Sequence, residues 1–194
     1  MIPTDELNRL KVILPEKLEL SRTLNVHGKV AAYIPELSKS PKDGLGIFIL
    51  DASGESVSEG EHHLIFTMQS ISKVFTLILA LIDHGEEAVF SKVGMEPSGD
   101  DFNSMLKLEL VEPGIPFNPL INAGAIVISS LIKGSSPIEK SARILRFIRE
   151  LAHNDTLSYN FDVYRSEFDT AHRNRSLAYF LKDNCAEGRC RGST

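Results

Sequence analysis

Cysteine is scarce in this 194-residue chain: only Cys185 and Cys190 occur, both within the last ten residues. Two cysteines so placed cannot frame a disulfide-stapled fold, and a reducing, cytoplasmic setting is the expectation. Long apolar runs are missing too. Val74 to Ile82 is the longest candidate, far short of the roughly 20 residues a membrane helix needs. Positive charge is not in excess, since 21 Lys and Arg against 26 Asp and Glu leave a net charge of −5. That balance argues against a nucleic-acid partner, which calls for a basic face. The first ten residues, MIPTDELNRL, lack both the basic start and the apolar stretch of a secretory signal. What remains is ordinary for a soluble globular protein, with 42% hydrophobic and 24% charged residues and enough chain for one sizeable core.

Periodicity predicts a helix-rich chain with one strand pair near its start. Thr4–Leu14 reads as a short helix ended by Pro15, and Val30–Ser38 as another that carries Tyr33. The β-rich run Leu45–Leu50, the turn Asp51-Ala-Ser-Gly54 and the polar run Ser56–Glu59 predict a hairpin with a buried first strand. His63–Met68 reads as a third extended run. A helix starts near Ser70 and stops at His84-Gly85 with a left-handed glycine. Ala123–Ile132 is a buried helix with Gly134 beyond it. Ser136-Pro-Ile-Glu139 opens a further helix whose core face is Ile138, Ala142, Leu145, Ile148 and Leu151. A last helix spans Ser166 to about Lys182.

One pair carries chemistry. Ser70 and Lys73, three residues apart, share a helix face about 5–6 Å apart at Cβ, at the mouth of the most apolar helix of the chain. A lysine whose pKa is lowered by burial and by the helix N-terminus can take the proton of a serine nucleophile. The spacing alone is weak evidence, because Ser104/Lys107 and Ser130/Lys133 repeat it. Lys133 suits a helix C-terminus and needs no catalytic role.

Longer motifs add to the pair. Gln69-Ser-Ile-Ser-Lys73, Val93-Gly-Met-Glu-Pro-Ser-Gly99, Phe102-Asn-Ser104, Asn118-Pro-Leu-Ile-Asn-Ala-Gly-Ala125 and Ser166-Glu-Phe-Asp-Thr-Ala-His-Arg-Asn174 occur in that order, with Ala32-Tyr-Ile-Pro35 upstream. Together, from Tyr33 to Asp183, they resemble the serine-dependent glutaminases. The resemblance implies an α/β (α+β) fold of the β-lactamase and DD-peptidase type, with helices packed on an antiparallel sheet. It implies hydrolysis of L-glutamine to L-glutamate and ammonia, with no metal or organic cofactor, in a homodimer or homotetramer. On this likeness Ser70 is the nucleophile and Lys73 the base. Asn122 binds substrate, Glu167 and Asn174 hold the amino-acid head, and Tyr33 lines the site. These types suit a free amino acid, since a carboxylate accepts from its ammonium and carboxamides donate to its carboxylate. Seven residues separate Glu167 from Asn174, two turns that place them on one side of a helix. Taken alone, Asn122 also reads as a helix cap, and Glu167 as a first-turn acid favoured by the helix dipole.

The resemblance breaks off after Asn184, so residues 1–184 read as a partial catalytic domain and 185–194 as a divergent, disordered tail. Family members continue further, with two more active-site tyrosines, a second oxyanion-hole amide and the last strands of the sheet. An oxyanion hole short of one donor costs about 10²–10³ in rate, so a weak or inactive 194-residue form is the expectation. Two other functions fit the same residues: a Ser-Lys hydrolase of β-lactams or peptides, and a non-catalytic truncated paralogue that binds a partner.

Overall fold

The computed structural model describes residues 4–97 and 115–186. The Phe102–Ser104 motif, the Ser104/Lys107 pair and the end of the tail lie outside the described residues. By contacts the chain divides into two units, residues 1–67 with 160–170, and residues 68–159 with 171–194.

The first unit is built on helix α1 (Thr4–Leu24) and the antiparallel strands β1 (Gly46–Leu50) and β2 (Ser56–Gly60). Pro15 does not end α1, which runs through it. A mid-helix proline costs roughly 3 kcal/mol. Leu14 on one side and Leu18 on the other are both buried, each worth about 1.5–3 kcal/mol, and together they outweigh that cost. Leu7 and Leu14 meet Val57 of β2, with Ile47 and Ile49 of β1 against the same cluster. The predicted hairpin is present, with Ile49 opposite Val57. Its turn is held by the Asp51 carboxylate, which accepts from the Ser53 N–H and Oγ and from the Glu55 N–H.

The expected buried first strand is buried on one face only. Strand side chains alternate in direction, so Ile47 and Ile49 turn inward while Phe48 and Leu50 are exposed. The expected extended run His63–Met68 pairs with no strand among the described residues, and Ile65 and Phe66 within it are exposed. The helix expected over Val30–Ser38 shrinks to a 3-10 turn, Pro35–Lys39. Pro35 disfavours the helical region for the residue before it, and Ile34 is extended at φ −111°, ψ 114°. Tyr33 therefore lies outside the turn. Helix α6 (Phe161–Thr170) packs on this turn, where the Glu36 N–H donates to Ser166 Oγ at 3.1 Å.

The second unit centres on α2 (Ser72–His84), which continues a 3-10 turn, Gln69–Ile71. Leu79 and Ala80 of α2 meet Val89 of α3 (Glu86–Phe90), Val93, and Ile128 and Ile132 at the end of α4 (Asn122–Leu131). Gly85 stops α2 with its N–H on the Leu81 carbonyl. Its φ of +78° suits glycine, but ψ is 167°, so the left-handed stop expected there is an extended one. Helix α5 (Pro137–Ala152) starts at the predicted cap, with Ser136 Oγ accepting from the Glu139 N–H. Its expected core face is displaced: Ile144 and Phe147 pack into the core, while Ile138 and Leu151 are exposed. Arg143 explains the rotation. It forms a bidentate ion pair with Asp83 of α2, whose side chain is only 2% exposed, and its helical neighbours one and four residues on face α2 with it.

The single helix expected over Ser166–Lys182 is two, α6 and α7 (His172–Ala186), broken at Ala171. Thr170 Oγ1 donates back to the Ser166 and Glu167 carbonyls, a local bond that competes with helix continuation. Helix α7 packs on α4 through Ala123, Leu177 and Leu181. The architecture is thus helix-rich with a small antiparallel sheet, and no described helix is long and apolar enough to cross a membrane.

Candidate active site

The site begins with a backbone feature. Gln69 has φ +44°, a left-handed conformation that costs a non-glycine residue roughly 1–2 kcal/mol. This sharp turn starts the helical stretch 69–84 and leaves Ser70 exposed at its mouth. The first N–H groups of a helix have no partner within it, so the Ser70 amide is available there as a donor. Nothing in the sequence signals this conformation, because a glutamine is no marker of positive φ.

Lys73, one turn on, is half-buried, and that burial lowers its pKa below the ordinary lysine value. Its Nζ donates to two fixed acceptors, the Leu120 carbonyl at 2.8 Å and Asn122 Oδ1 at 2.8 Å. Asn122 Nδ2 in turn donates to Asn174 Oδ1 at 3.0 Å. Three of the predicted residues, from α2, α4 and α7, are therefore joined in one hydrogen-bonded chain. A neutral amine has two hydrogens and one lone pair. Donation to Leu120 and Asn122 engages two hydrogens and fixes the direction of the nitrogen.

Asn122 does not cap its helix, since its side chain is engaged with Lys73 and Asn174. Asn118 braces the loop ahead of the helix: its Oδ1 accepts from the Leu120 and Ile121 N–H groups, and its Nδ2 donates to the Glu96 carbonyl. The same crossing explains Gly124. A Cβ there would overlap the Asn118 carbonyl oxygen, so only glycine lets α4 lie this close to the loop before it. Residues Asn118 and Leu120, with the Gln69 turn, are parts of the site that sequence reasoning assigned no role.

Tyr33 and Glu167 belong to the first unit, Ser70, Lys73, Asn122 and Asn174 to the second. Because the helix breaks at Ala171, Glu167 and Asn174 do not share a helix face as their spacing suggests. Within the first unit the Ser166–Glu167 and Tyr33–Glu36 segments meet at the bond from Glu36 to Ser166; both Tyr33 and Glu167 are exposed. Of the other Ser-x-x-Lys pairs, Ser130 Oγ donates to the Val127 carbonyl, and the Lys133 N–H donates to Asp83. Lys133 is exposed and does not share the setting of Lys73.

The family model described as Glutaminase matches residues 28–187. The chain belongs to the glutaminase family. Among its relatives, a glutaminase of Alkaliphilus metalliredigens is 58% identical over 156 residues, covering 80% of this chain and 51% of the relative. Glutaminase 2 of Clostridium perfringens is 51% identical over 90% of this chain and 57% of its own. Among solved structures, a probable glutaminase of Bacillus subtilis matches with a TM-score of 0.81 and 38% identity, over 91% of this chain and 54% of that one. A Bacillus subtilis glutaminase solved as a covalent complex with 5-oxo-L-norleucine, formed by reaction with 6-diazo-5-oxo-L-norleucine, matches with a TM-score of 0.75 and 35% identity, over 90% and 53%. The chain thus spans about half the length of the glutaminases it matches. The expected break with the family after Asn184 falls close to the end of the matched residues.

Proposed function

We propose that this chain hydrolyses the side-chain amide of L-glutamine to L-glutamate and ammonia, with Ser70 as nucleophile and Lys73 as general base. The observation that carries the reading is Lys73: its pKa is lowered by burial, both fixed acceptors hold its nitrogen, and it stands one turn from an exposed serine at a helix mouth. Ser70 Oγ gives its proton to the neutral Lys73 amine as it bonds to the amide carbon. The Ser70 N–H donates to the oxyanion of the tetrahedral intermediate. The C–N bond then breaks, the Lys73 ammonium returns the proton to the departing nitrogen, and ammonia leaves. Water attacks the ester, giving one proton to Lys73, which passes it to Ser70 as the Oγ–C bond breaks.

Glu167 accepts from the substrate ammonium, Asn122 and Asn174 contribute carboxamides, and Tyr33 lines the pocket. The covalent complex of the Bacillus subtilis relative supports a nucleophilic mechanism, because 5-oxo-L-norleucine is an amino acid with a carbonyl where glutamine carries its amide. A cytoplasmic homodimer or homotetramer completes the proposal, to be tested by light scattering.

Treatment with 6-diazo-5-oxo-L-norleucine, followed by peptide mass spectrometry, tests the chemistry. Modification at Ser70, lost in Ser70→Ala and slowed by excess glutamine, is expected. Modification by penicillin at Ser70 with no response to either amino acid would instead mark a β-lactam or peptide hydrolase.

A further inference from the structure

We propose that Asn174 is a positioning residue for Lys73, acting through Asn122, beyond any contact it makes with substrate; the proposal rests on Lys73 being the base of the proposed reaction. A carboxamide has an acceptor at one end and a donor at the other. For Asn122 Oδ1 to face the Lys73 amine, Nδ2 must face away and find an acceptor. Asn174 Oδ1 is that acceptor, at 3.0 Å. With Asn122 turned over, its NH2 would face the Lys73 donors and its oxygen would face the Asn174 oxygen, a donor against donors and an acceptor against an acceptor. Turning both asparagines would cure the second mismatch and leave Lys73 without its acceptor.

The helices hold this pair in register. Ala123, next to Asn122, and Leu177, one turn on from Asn174, are both buried in the cluster that joins α4 to α7. The Leu120 carbonyl on the other side of Nζ is equally fixed, since Asn118 Oδ1 accepts from the Leu120 and Ile121 N–H groups. Lys73 is thus aimed from two sides, by a loop tied to Asn118 and by a carboxamide tied to Asn174.

The charged groups of the described elements near α2 are few. Among the described helices against α2, α4 carries no ionisable side chain. On α5, Arg143 is paired with Asp83, and Glu86 and Glu87 of α3 follow the far end of α2. On α7, Arg173 and Arg175 flank Asn174 in sequence. Burial lowers the Lys73 pKa, and the orientation of the neutral Asn122 amide bonded to its nitrogen acts on the same equilibrium.

The test reads the Lys73 titration directly, by NMR of lysine Cε in the unliganded full chain, and requires no turnover. Asn174→Asp keeps an acceptor in place and adds a negative charge, so the titration moves upward by about one pH unit. Asn174→Leu removes the acceptor, lets Asn122 turn its donors to Lys73, and moves the titration downward. In an Asn122→Leu background the effect of Asn174→Leu disappears, because the intermediary is gone. Unchanged titration in both single variants, with glutamine affinity lost, would overturn the proposal and leave Asn174 as a substrate contact only. Equal effects of Asn174→Leu with and without Asn122 would overturn it as well. Should Asn174→Leu fail to fold, the near-isosteric Asp variant decides, alone and in the Asn122→Leu background: an upward shift that shrinks there supports the proposal, and one that persists undiminished overturns it. Failure of Ser70 to react with 6-diazo-5-oxo-L-norleucine, beside an intact coupling, would refute the proposed reaction and not the positioning.

Discussion

Lys73 is placed where two demands oppose each other. Burial favours its neutral form, while two acceptors hold the nitrogen in position whether or not it is charged. Its neutral fraction rises with pH, and because its native pKa is lowered, that rise is complete at lower pH than for an ordinary lysine. The rate of Ser70 acylation by 6-diazo-5-oxo-L-norleucine is therefore expected to climb on an acid limb that ends below the usual lysine range. Lys73→Arg, which cannot give up its proton, should lower that rate by about 10²–10⁴. A limb at the ordinary lysine pKa, or an active arginine variant, would count against Lys73 as base. Gly124 poses a purely steric requirement. Gly124→Ala drives a methyl group into the Asn118 carbonyl, and urea unfolding should show a loss of about 1–3 kcal/mol or more. The residues of the lysine chain were legible in the sequence as types and as family positions. Their bonds were not, since a bond across 49 or 52 residues depends on how three helices pack.

Elements with strong local signals were the most legible. The apolar helix after Ser70, the capped start at Ser136 and the hairpin turn at Asp51 each carry their instruction within a few residues. Errors arose where a distant contact overrode a local rule. Pro15 should stop α1, yet leucines on both sides are buried against the hairpin. Pro15→Ala is accordingly expected to stabilise the fold by about 1–3 kcal/mol, by restoring a helical N–H without disturbing those leucines; a lower urea midpoint would instead show that a bend at Pro15 is required. The face of α5 was misjudged because the pattern contains apolar residues on more than one side, and only the Asp83–Arg143 pair settles which side meets α2. The Arg143 guanidinium, with help from the Lys133 N–H, holds the Asp83 carboxyl below its usual pKa. That contribution to stability is full above the ordinary carboxylate range and is lost as pH falls through the lowered native value. Asp83→Asn should cost up to about 3 kcal/mol at pH 7, and the gap to the native chain should close in acid. Urea titrations at several pH values measure both.

At the scale of the molecule, apolar surface is the dominant feature of each unit. Phe48, Leu50, Ile65 and Phe66 in the first unit, and Ile78 and Ile82 in the second, are exposed, and surfaces of this kind mark association sites or aggregation liabilities. Binding of an apolar dye and concentration-dependent association are expected, and Phe48→Ser with Ile65→Ser should reduce both without lowering the unfolding midpoint. Unaltered association in that variant would place the sticky surface elsewhere. The sequence by itself determined the family, the helix-rich class and the residue types of the site, because motifs and periodicity are local and survive in one dimension. Tertiary structure alone decided that Lys73 is held by Leu120 and Asn122, that Asn174 backs Asn122, and that Glu167 lies on a separate helix from Asn174. Those outcomes depend on which buried side chains meet across the fold, and no short stretch of chain contains that information.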